Sequence, residues 1–350
     1  MINHNPERSS RYIFCAQSGS TITINDGTFI NDRQNNSYFW ADNATIHVKG
    51  GNFEGSTSKN KVVLTNGGQL IISGGTFNFD PTQWLAPGYV AAKNGSKWVV
   101  SPETLVSDAT EFAEAIKAGN DGKVIILAAG ATIEGTFTIG ANNLTIKSAS
   151  SDDKAVIAGR VNVGSVDCSF ENINFKITDA SKHKNTYSGA PYQYPGIVVG
   201  YGAAMTFEGC DFESSISTGV CGINAGNHAD SSDLLTVNNC TFVGDFYAIR
   251  TRTLFNITNN VFDIYTDQGT LAAVWTWGNA STGADKVTFT GNTNQNANQV
   301  YSVQMIASNF VYDYVTINVQ DNTNFRALED GVNPARFNGT HTFVEGSERF

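Results

Sequence analysis

Apolar and polar residues alternate in short runs along the amino-terminal part of the chain, and each run ends at a glycine-containing corner followed by a phenylalanine. The three copies are TITINDGTF, TIHVKGGNF and LIISGGTF, in which Phe29, Phe53 and Phe77 are evenly spaced. Apolar residues at every second position, such as Ile22 and Ile24, predict β-strands. A fixed period of about 24 residues predicts a repeated structural unit.

A unit of this length cannot bury its own apolar face, so the copies must stack, with strands of successive copies about 4.8 Å apart. The repeat therefore predicts a β-solenoid over residues 1–100. In the third copy we assign the apolar position to Ile71, against the polar Ser73. Two apolar runs then flank Asn94-Gly95, a turn signal that predicts a hairpin at the end of this region.

One short helix is predicted at the start of a second region, residues 101–350. In SDATEFAEAIKAG, Asp108 and Glu111 form a capping box before Phe112, and Gly119 follows the apolar stripe. These signals predict a helix at 108–118, of about 11 residues, that lies across one end of a second solenoid.

The second region repeats a different phrase: FENINF, FEGCDF, VNNCTF and ITNNVF, continued without the aromatic residue in FTGNTN and VQDNTN. Because like residues stack on like in solenoid interiors, we expect two inward columns. We interpret the cysteines as packing residues and the asparagines as a corner ladder that satisfies backbone groups. The columns are Phe175, Phe212, Phe242 and Phe262, and Ile173, Cys210, Cys240, Asn260, Asn292 and Asn322.

The spacing of this second phrase is uneven, since the intervals between Phe175, Phe212, Phe242, Phe262 and Asn294 all differ. A bare coil needs about 20 to 24 residues, so the surplus must leave the solenoid as loops. The predicted loops are 179–195, 224–233 and 267–284.

Aromatic side chains are concentrated in the first and last of these loops. Their apolar faces and polar groups suit sugar rings, so loops that emerge on one side would wall a glycan-binding groove. Alternatively, the two tryptophans alternate like strand residues and only cover the coil. The candidate binding residues are Tyr187, Tyr192, Tyr194, Trp275 and Trp277.

The capping helix, the following VIILAAGATIEGTFTI and the coils carrying VNNCTF resemble the pectate-lyase-like right-handed parallel β-helix superfamily over about residues 105–330. That family includes polysaccharide lyases, family 28 glycosidases, phage tailspikes and bacterial adhesins. The GGTFNFDP phrase and the NGSKW hairpin resemble repeats in surface and phage proteins of gut bacteria. The resemblance implies an all-β right-handed parallel β-helix, an extracellular, cell-surface or virion location, and a homotrimer.

Catalysis is a second hypothesis. A lyase needs a base and a cation that neutralises a uronate carboxylate, and Arg250, Arg252 and Asp245 lie close together in the sequence; an outward salt-bridge row is the alternative. Asp211 and Glu213 alternate as a glycosidase pair could. The motifs of family 28 glycosidases and the arginine-rich motif of pectate lyases are missing from the sequence. We therefore expect glycan binding without cleavage, with a lyase or hydrolase, or a structural spacer, as alternatives.

Composition narrows the choice of partners. A net charge of −10, from 22 Lys and Arg against 32 Asp and Glu, disfavours nucleic acid. No apolar run approaches the roughly 20 residues of a membrane span, and MINHNPERSS lacks the apolar core of a signal peptide.

Five cysteines without a C-x-x-C pair indicate free thiols. Calcium is the one cofactor that we consider, with oxygen ligands from Asn227, Asp230 and Asp233 but without EF-hand spacing.

Overall fold

The structure, a computed structural model, is all-β apart from one α-helix and one 3₁₀ turn among the residues it describes. The chain divides into two compact units, residues 1–104 with 122–124 and residues 105–121 with 125–350. The described residues are 12–31, 37–55, 61–94, 96–177, 196–200, 204–214, 221–225, 234–245, 247–251, 253–265, 272–276, 286–296, 301–305, 315–325 and 341–343.

Short strands make up the described part of the first unit, and a 3₁₀ turn at Thr82–Trp84 precedes the last two of them. In chain order, strands β1 to β11 are Tyr12–Gln17, Thr21–Ile24, Thr28–Ile30, Ser37–Asp42, Thr45–Val48, Asn52–Glu54, Val62–Thr65, Gln69–Ile72, Gly75–Phe77, Tyr89–Asn94 and Lys97–Pro102.

Parallel pairing between successive copies organises this unit. The sheets run β1-β4-β7, β2-β5-β8 and β3-β6-β9, and β11 and β10 extend the third sheet in antiparallel order. Phe29 pairs with Phe53 and Phe53 with Phe77, with ring centroids 5.1 Å and 4.9 Å apart. The constant period is therefore confirmed, and the hairpin predicted around Asn94 is formed by β10 and β11.

The assignment of Ile71 to the apolar position is wrong by one residue. Ile72 pairs with Val48 and is fully buried, whereas Ile71 pairs with His47 on the other side of the strand. Leu70 is the residue that follows Ile46 by one period, and it is 5% exposed. In a run of three apolar residues, alternation alone does not identify the inward positions, but the repeat period does.

The helix α1 spans Ala109–Ala115, shorter than predicted. Asp108 caps it as expected, because its carboxylate accepts hydrogen bonds from the backbone N–H groups of Thr110 and Glu111 at 2.8 and 2.9 Å. The helix ends before Gly119 because the carbonyl of Ile116 accepts from the N–H groups of Gly140 and Ala141 instead of continuing the helix.

The helix α1 packs through Phe112, whose ring contacts that of Phe137 edge to face with centroids 4.9 Å apart.

From residue 104 onward, strands β12 to β33 are Thr104–Val106, Val124–Leu127, Thr132–Thr138, Leu144–Ser148, Val156–Gly164, Cys168–Glu171, Asn174–Ile177, Gly196–Gly200, Met205–Glu208, Asp211–Ser214, Cys221–Ala225, Leu234–Asn238, Thr241–Asp245, Tyr247–Thr251, Leu254–Thr258, Val261–Tyr265, Ala272–Thr276, Lys286–Thr290, Thr293–Asn294, Tyr301–Met305, Val315–Gln320 and His341–Phe343.

Two sheets, built largely of parallel strand pairs, organise the second unit. One sheet runs β12-β13-β15-β17-β20-β23-β26-β29-β32-β33. In the other, the long strand β16 pairs along its first residues with β18 and along its last residues with β19. From there two series continue, β18-β21-β24-β27-β30 and β19-β22-β25-β28-β31. Every strand in these series pairs with the equivalent strand of the next repeat.

The predicted phenylalanine column lies in the core of this unit. Phe175, Phe212, Phe242 and Phe262 are fully buried, and the centroids of successive rings are 4.9, 4.7 and 5.0 Å apart. Where the next repeat has Asn294 in register, Phe325 packs against Phe262 with centroids 6.0 Å apart. The column is confirmed, and a residue from outside the repeat replaces the missing aromatic ring.

Candidate functional site

The series of strands β19, β22, β25, β28 and β31 carries the candidate site. Its core side is a column of branched apolar residues, with Val198 paired to Ile223, then Ile249, then Val274. The next residue of each strand lies on the opposite side of the sheet. These opposite positions, in register, are Val199, Asn224, Arg250, Trp275 and Gln304.

This outer side of the sheet is not freely open to solvent. Asn224 is 9% exposed and Arg250 is half-buried. Ile197, Ala248 and Ala273, two residues earlier in their strands, are fully buried and belong to the same hydrophobic core as Val198, Ile249 and Val274. The polar column therefore begins directly after buried apolar residues.

A second guanidinium lies at the start of the same side. Arg160 in β16 is 6% exposed, and its Nε donates a hydrogen bond of 2.7 Å to Oδ1 of Asn162. Asn162 pairs with Val199 and so begins the column that continues to Asn224. Guanidinium and carboxamide groups held in a poorly hydrated surface form strong hydrogen bonds with hydroxyl and carboxylate groups.

The structure brings together two residues that the sequence identified separately, because Arg250 and Trp275 pair on adjacent strands. It also corrects the predicted loop 267–284. Residues Ala272–Thr276 form strand β28, which pairs with β25 and β31, so Trp275 lies in a strand. The surplus residues of this repeat are divided between segments before and after that strand.

The insertions differ in whether they come before or after these strands along the chain. Residues 178–195 precede the amino end of β19, whereas 226–233 and 277–285 follow the carboxyl ends of β22 and β28. Because these strands are parallel, all their amino ends share one edge of the series and all their carboxyl ends the other. The column from Asn224 to Gln304 lies between the two edges.

Several predicted site residues lie outside the described residues, namely Tyr187, Tyr192, Tyr194, Trp277, Arg252, Asn227, Asp230 and Asp233. Asp245 is the last residue of β24, where it pairs with Tyr265. It therefore belongs to the other strand series and is separated from β25 by a single residue.

The two carboxylates considered as a glycosidase pair have structural partners. Asp211 forms an ion pair with Lys154 at 2.7 Å, and Glu213 lies 3.2 Å from the ammonium of Lys176. Glu213 also accepts a hydrogen bond of 3.0 Å from Asn174. Each of the two carboxylates is therefore engaged in an ion pair with a lysine.

A buried cysteine, Cys221, lies in the strand that carries Asn224. Burial raises the pKa of Cys221 in β22 to about 12, and the positive charge of Arg250 opposes this shift only in part. Cys210 and Cys240 are 0% and 1% exposed, which confirms their interpretation as packing residues.

Sequence reasoning missed Arg160, Asn162 and Asn224. One sequence signal could have found Asn224. In the strands GIVVG, CGINA, YAIRT and AAVWT, the third residue is branched and apolar, and the fourth residue is the one that belongs to the outer column. Aligning these strands on Val198, Ile223, Ile249 and Val274 brings Asn224 next to Arg250. The alignment is hidden because the insertions between strands differ in length.

Among the described residues, no group of three or more His, Cys, Asp or Glu side chains could hold a metal ion. No described helix has the length and apolar character that a membrane crossing requires.

A scan of protein-family models gave no match to the chain, and a search of curated proteins gave none either.

Proposed function

We propose that this protein is a right-handed parallel β-helix of a cell surface or virion that binds a polysaccharide or host glycan without cleaving it. The continuous parallel pairing of equivalent strands supports the architecture, since each repeat adds one strand to each series. A stack of this kind presents equivalent positions at intervals of about 4.8 Å along its surface.

The column of Asn224, Arg250, Trp275 and Gln304 is the observation that carries the glycan proposal. Sugars are recognised by aromatic rings that stack on their C–H faces and by donors and acceptors that bind their hydroxyls. Four consecutive strands supply these residue types in a single register. In this proposal the groove runs along the column.

Each contact in such a groove is weak. A stacked aromatic residue adds about 0.5 to 1.5 kcal/mol beyond its buried area, so firm adhesion needs several contacts or several copies. A homotrimer, which we include in the proposal, would present three grooves to one surface.

A polysaccharide lyase is the second candidate, and Arg250 favours it. A guanidinium beside the nearly buried Asn224 could neutralise a uronate carboxylate, as proton removal next to that carboxylate requires. Against it, Asp211 and Glu213 are paired with lysines and Cys221 is protonated at neutral pH. The catalytic base of a lyase would have to come from elsewhere in the chain.

The test is to pass the purified protein over a panel of immobilised neutral and acidic polysaccharides and to analyse the same polysaccharides for products. We expect retention on at least one glycan, with no new reducing ends and no unsaturated uronates. Products would establish the enzyme, and a lack of retention on every glycan would favour a structural spacer.

A further inference from the structure

Two buried cysteines occupy equivalent corners of consecutive coils. Cys210 and Cys240 immediately precede Asp211 and Thr241, which pair in register in β21 and β24. The backbone N–H of Cys210 donates a hydrogen bond of 3.4 Å to Sγ of Cys240, and the N–H of Thr241 donates to the carbonyl of Cys210 at 2.9 Å. The two side chains are therefore neighbours in the core.

Their separation suits a covalent bond. Neighbouring strands lie about 4.7 to 4.9 Å apart, within the roughly 4.4 to 6.8 Å between Cα atoms that a disulfide spans. The other cysteines have no such neighbour among the register partners that the structure describes. Cys168 pairs with Leu144 and Met205, Cys221 with Gly196 and Tyr247, and Cys15 with Trp40.

We propose that Cys210 and Cys240 are an oxidation site at which a disulfide joins two consecutive coils. In the reaction, one thiolate attacks oxidised glutathione and releases one reduced glutathione. The second thiolate then attacks the mixed disulfide and releases another. The two protein thiols lose two protons and two electrons, the new S–S bond forms, and the glutathione disulfide is reduced.

The bond forms while the coils assemble. In the folded protein Cys210 Sγ lies 3.5 Å from the carbonyl of Phe170, and Cys240 Sγ lies 3.3 Å from that of Asn238. Burial raises the pKa of Cys240 well above its ordinary value, so the reactive thiolate is scarce once the core is closed. The same burial protects a disulfide, once formed, from reductants.

A disulfide here would act on the strand that carries Asn224. Residues 210 and 240 enclose β22, together with the segments that enter and leave it. Linking them reduces the freedom of this stretch in the unfolded chain and so stabilises its folded arrangement. An oxidising extracellular environment, which is part of the proposed function, would favour the bond; the disulfide itself does not depend on glycan binding.

The experiment uses the full chain with Cys15→Ser, which removes the exposed thiol and leaves four cysteines. The protein is refolded in a mixture of reduced and oxidised glutathione, and thiols are counted after denaturation. We expect two thiols instead of four, a proteolytic fragment in which Cys210 is joined to Cys240, and a melting temperature raised by about 2 to 4 °C or more. The already folded protein should react far more slowly in the same mixture.

The control adds Cys240→Ser, which keeps an acceptor for the N–H of Cys210. Its three thiols should all remain after oxidative refolding. Four thiols remaining in the Cys15→Ser protein would overturn the proposal. So would loss of two thiols in the control, or a fragment that joins any other pair.

Discussion

The backbone N–H of Asn260 donates a hydrogen bond of 2.9 Å to the side-chain oxygen of Asn292, which belongs to the next repeat along the chain. Asn292 repeats this contact with Asn322 at 3.0 Å. The carboxamide nitrogen of Asn292 in turn donates to the carbonyl of Ile257 at 3.1 Å. The backbone turns at this corner, where Asn259 has a φ of 58°. The N–H groups of Asn260 and Asn292 are therefore paired with side-chain oxygens instead of backbone carbonyls.

Replacing Asn292 by Ala should destabilise the second unit by about 1 to 3 kcal/mol, since it leaves buried backbone groups without partners. Asn292 is fully buried, and its oxygen accepts from both the N–H and the carboxamide of Asn260. Denaturant unfolding followed by circular dichroism measures the change. The control is Asn256→Ala on the outer side of β26, which should change stability by less than about 0.5 kcal/mol. Equal losses from both variants would contradict the ladder.

Replacing Phe242 by Ala should cost about 3 to 5 kcal/mol. Its ring stacks between Phe212 and Phe262, with centroids 4.7 and 5.0 Å away, so its removal opens a cavity inside the column. The neighbouring Val243 is 39% exposed on the other side of the same strand, and Val243→Ala serves as the matched control. A thermal melt of Phe242→Ala that coincides with the control would show that the phenylalanine column does not stabilise the unit.

The inward columns could be predicted because repetition constrains them. Phe53 and Phe77 follow Phe29 at a constant interval, and each repeat places the same residue type at the same position. Where two signals disagreed, the period was the better guide, as Leu70 and Ile71 show. The end of α1 could not be predicted, because the carbonyl of Ile116 accepts from backbone groups that lie beyond the next two strands of the chain.

The candidate site was harder to predict, because its register depends on insertions. The intervals that separate Asn224, Arg250, Trp275 and Gln304 along the chain all differ, so no constant period links them. The sequence identified Arg250 and Trp275 by chemistry alone, and their pairing required the structure. The ion pair between Lys154 and Asp211 likewise joins residues 57 positions apart.

The cap of α1 provides a third prediction. Asp108→Ala should destabilise the second unit by about 0.5 to 2 kcal/mol, because the N–H groups of Thr110 and Glu111 lose their acceptor. Asp108→Asn keeps a side-chain oxygen at that position and should recover most of the loss. Denaturant unfolding of the three proteins decides between them. If the Asn variant were as unstable as the Ala variant, the hydrogen bonds would not be the source of the effect.

Acid should weaken the first unit in part through Glu54. Hydrogen bonds from Lys97 and Asn52, and then the charge of Lys97, hold the pKa of Glu54 below its ordinary value. A lowered folded pKa means that the stabilisation is present above the unfolded pKa of about 4.3 and is lost as the pH falls through the folded value. The stability difference between the wild type and Lys97→Gln should therefore shrink on titration from pH 6 to pH 3. A difference that stays constant or grows would refute this assignment.

Glycan binding is the prediction on which the proposed function depends most directly. Replacing Trp275 and Trp277 together with Ala should abolish retention on the cognate polysaccharide, because Trp275 shares the register of Arg250 and sugars are bound by stacking on aromatic rings. Trp40→Ala is the matched control, since Trp40 lies in the first unit, where its ring stacks on Tyr12 with centroids 5.6 Å apart. The control should bind as the wild type does, and circular dichroism should show unchanged folds in both variants. Retention that survives the double replacement would remove this groove from consideration. If cleavage products appear with the wild type, Arg250→Ala becomes the first variant to assay. Loss of those products in the variant would identify Arg250 as the cation that neutralises the uronate carboxylate in a lyase.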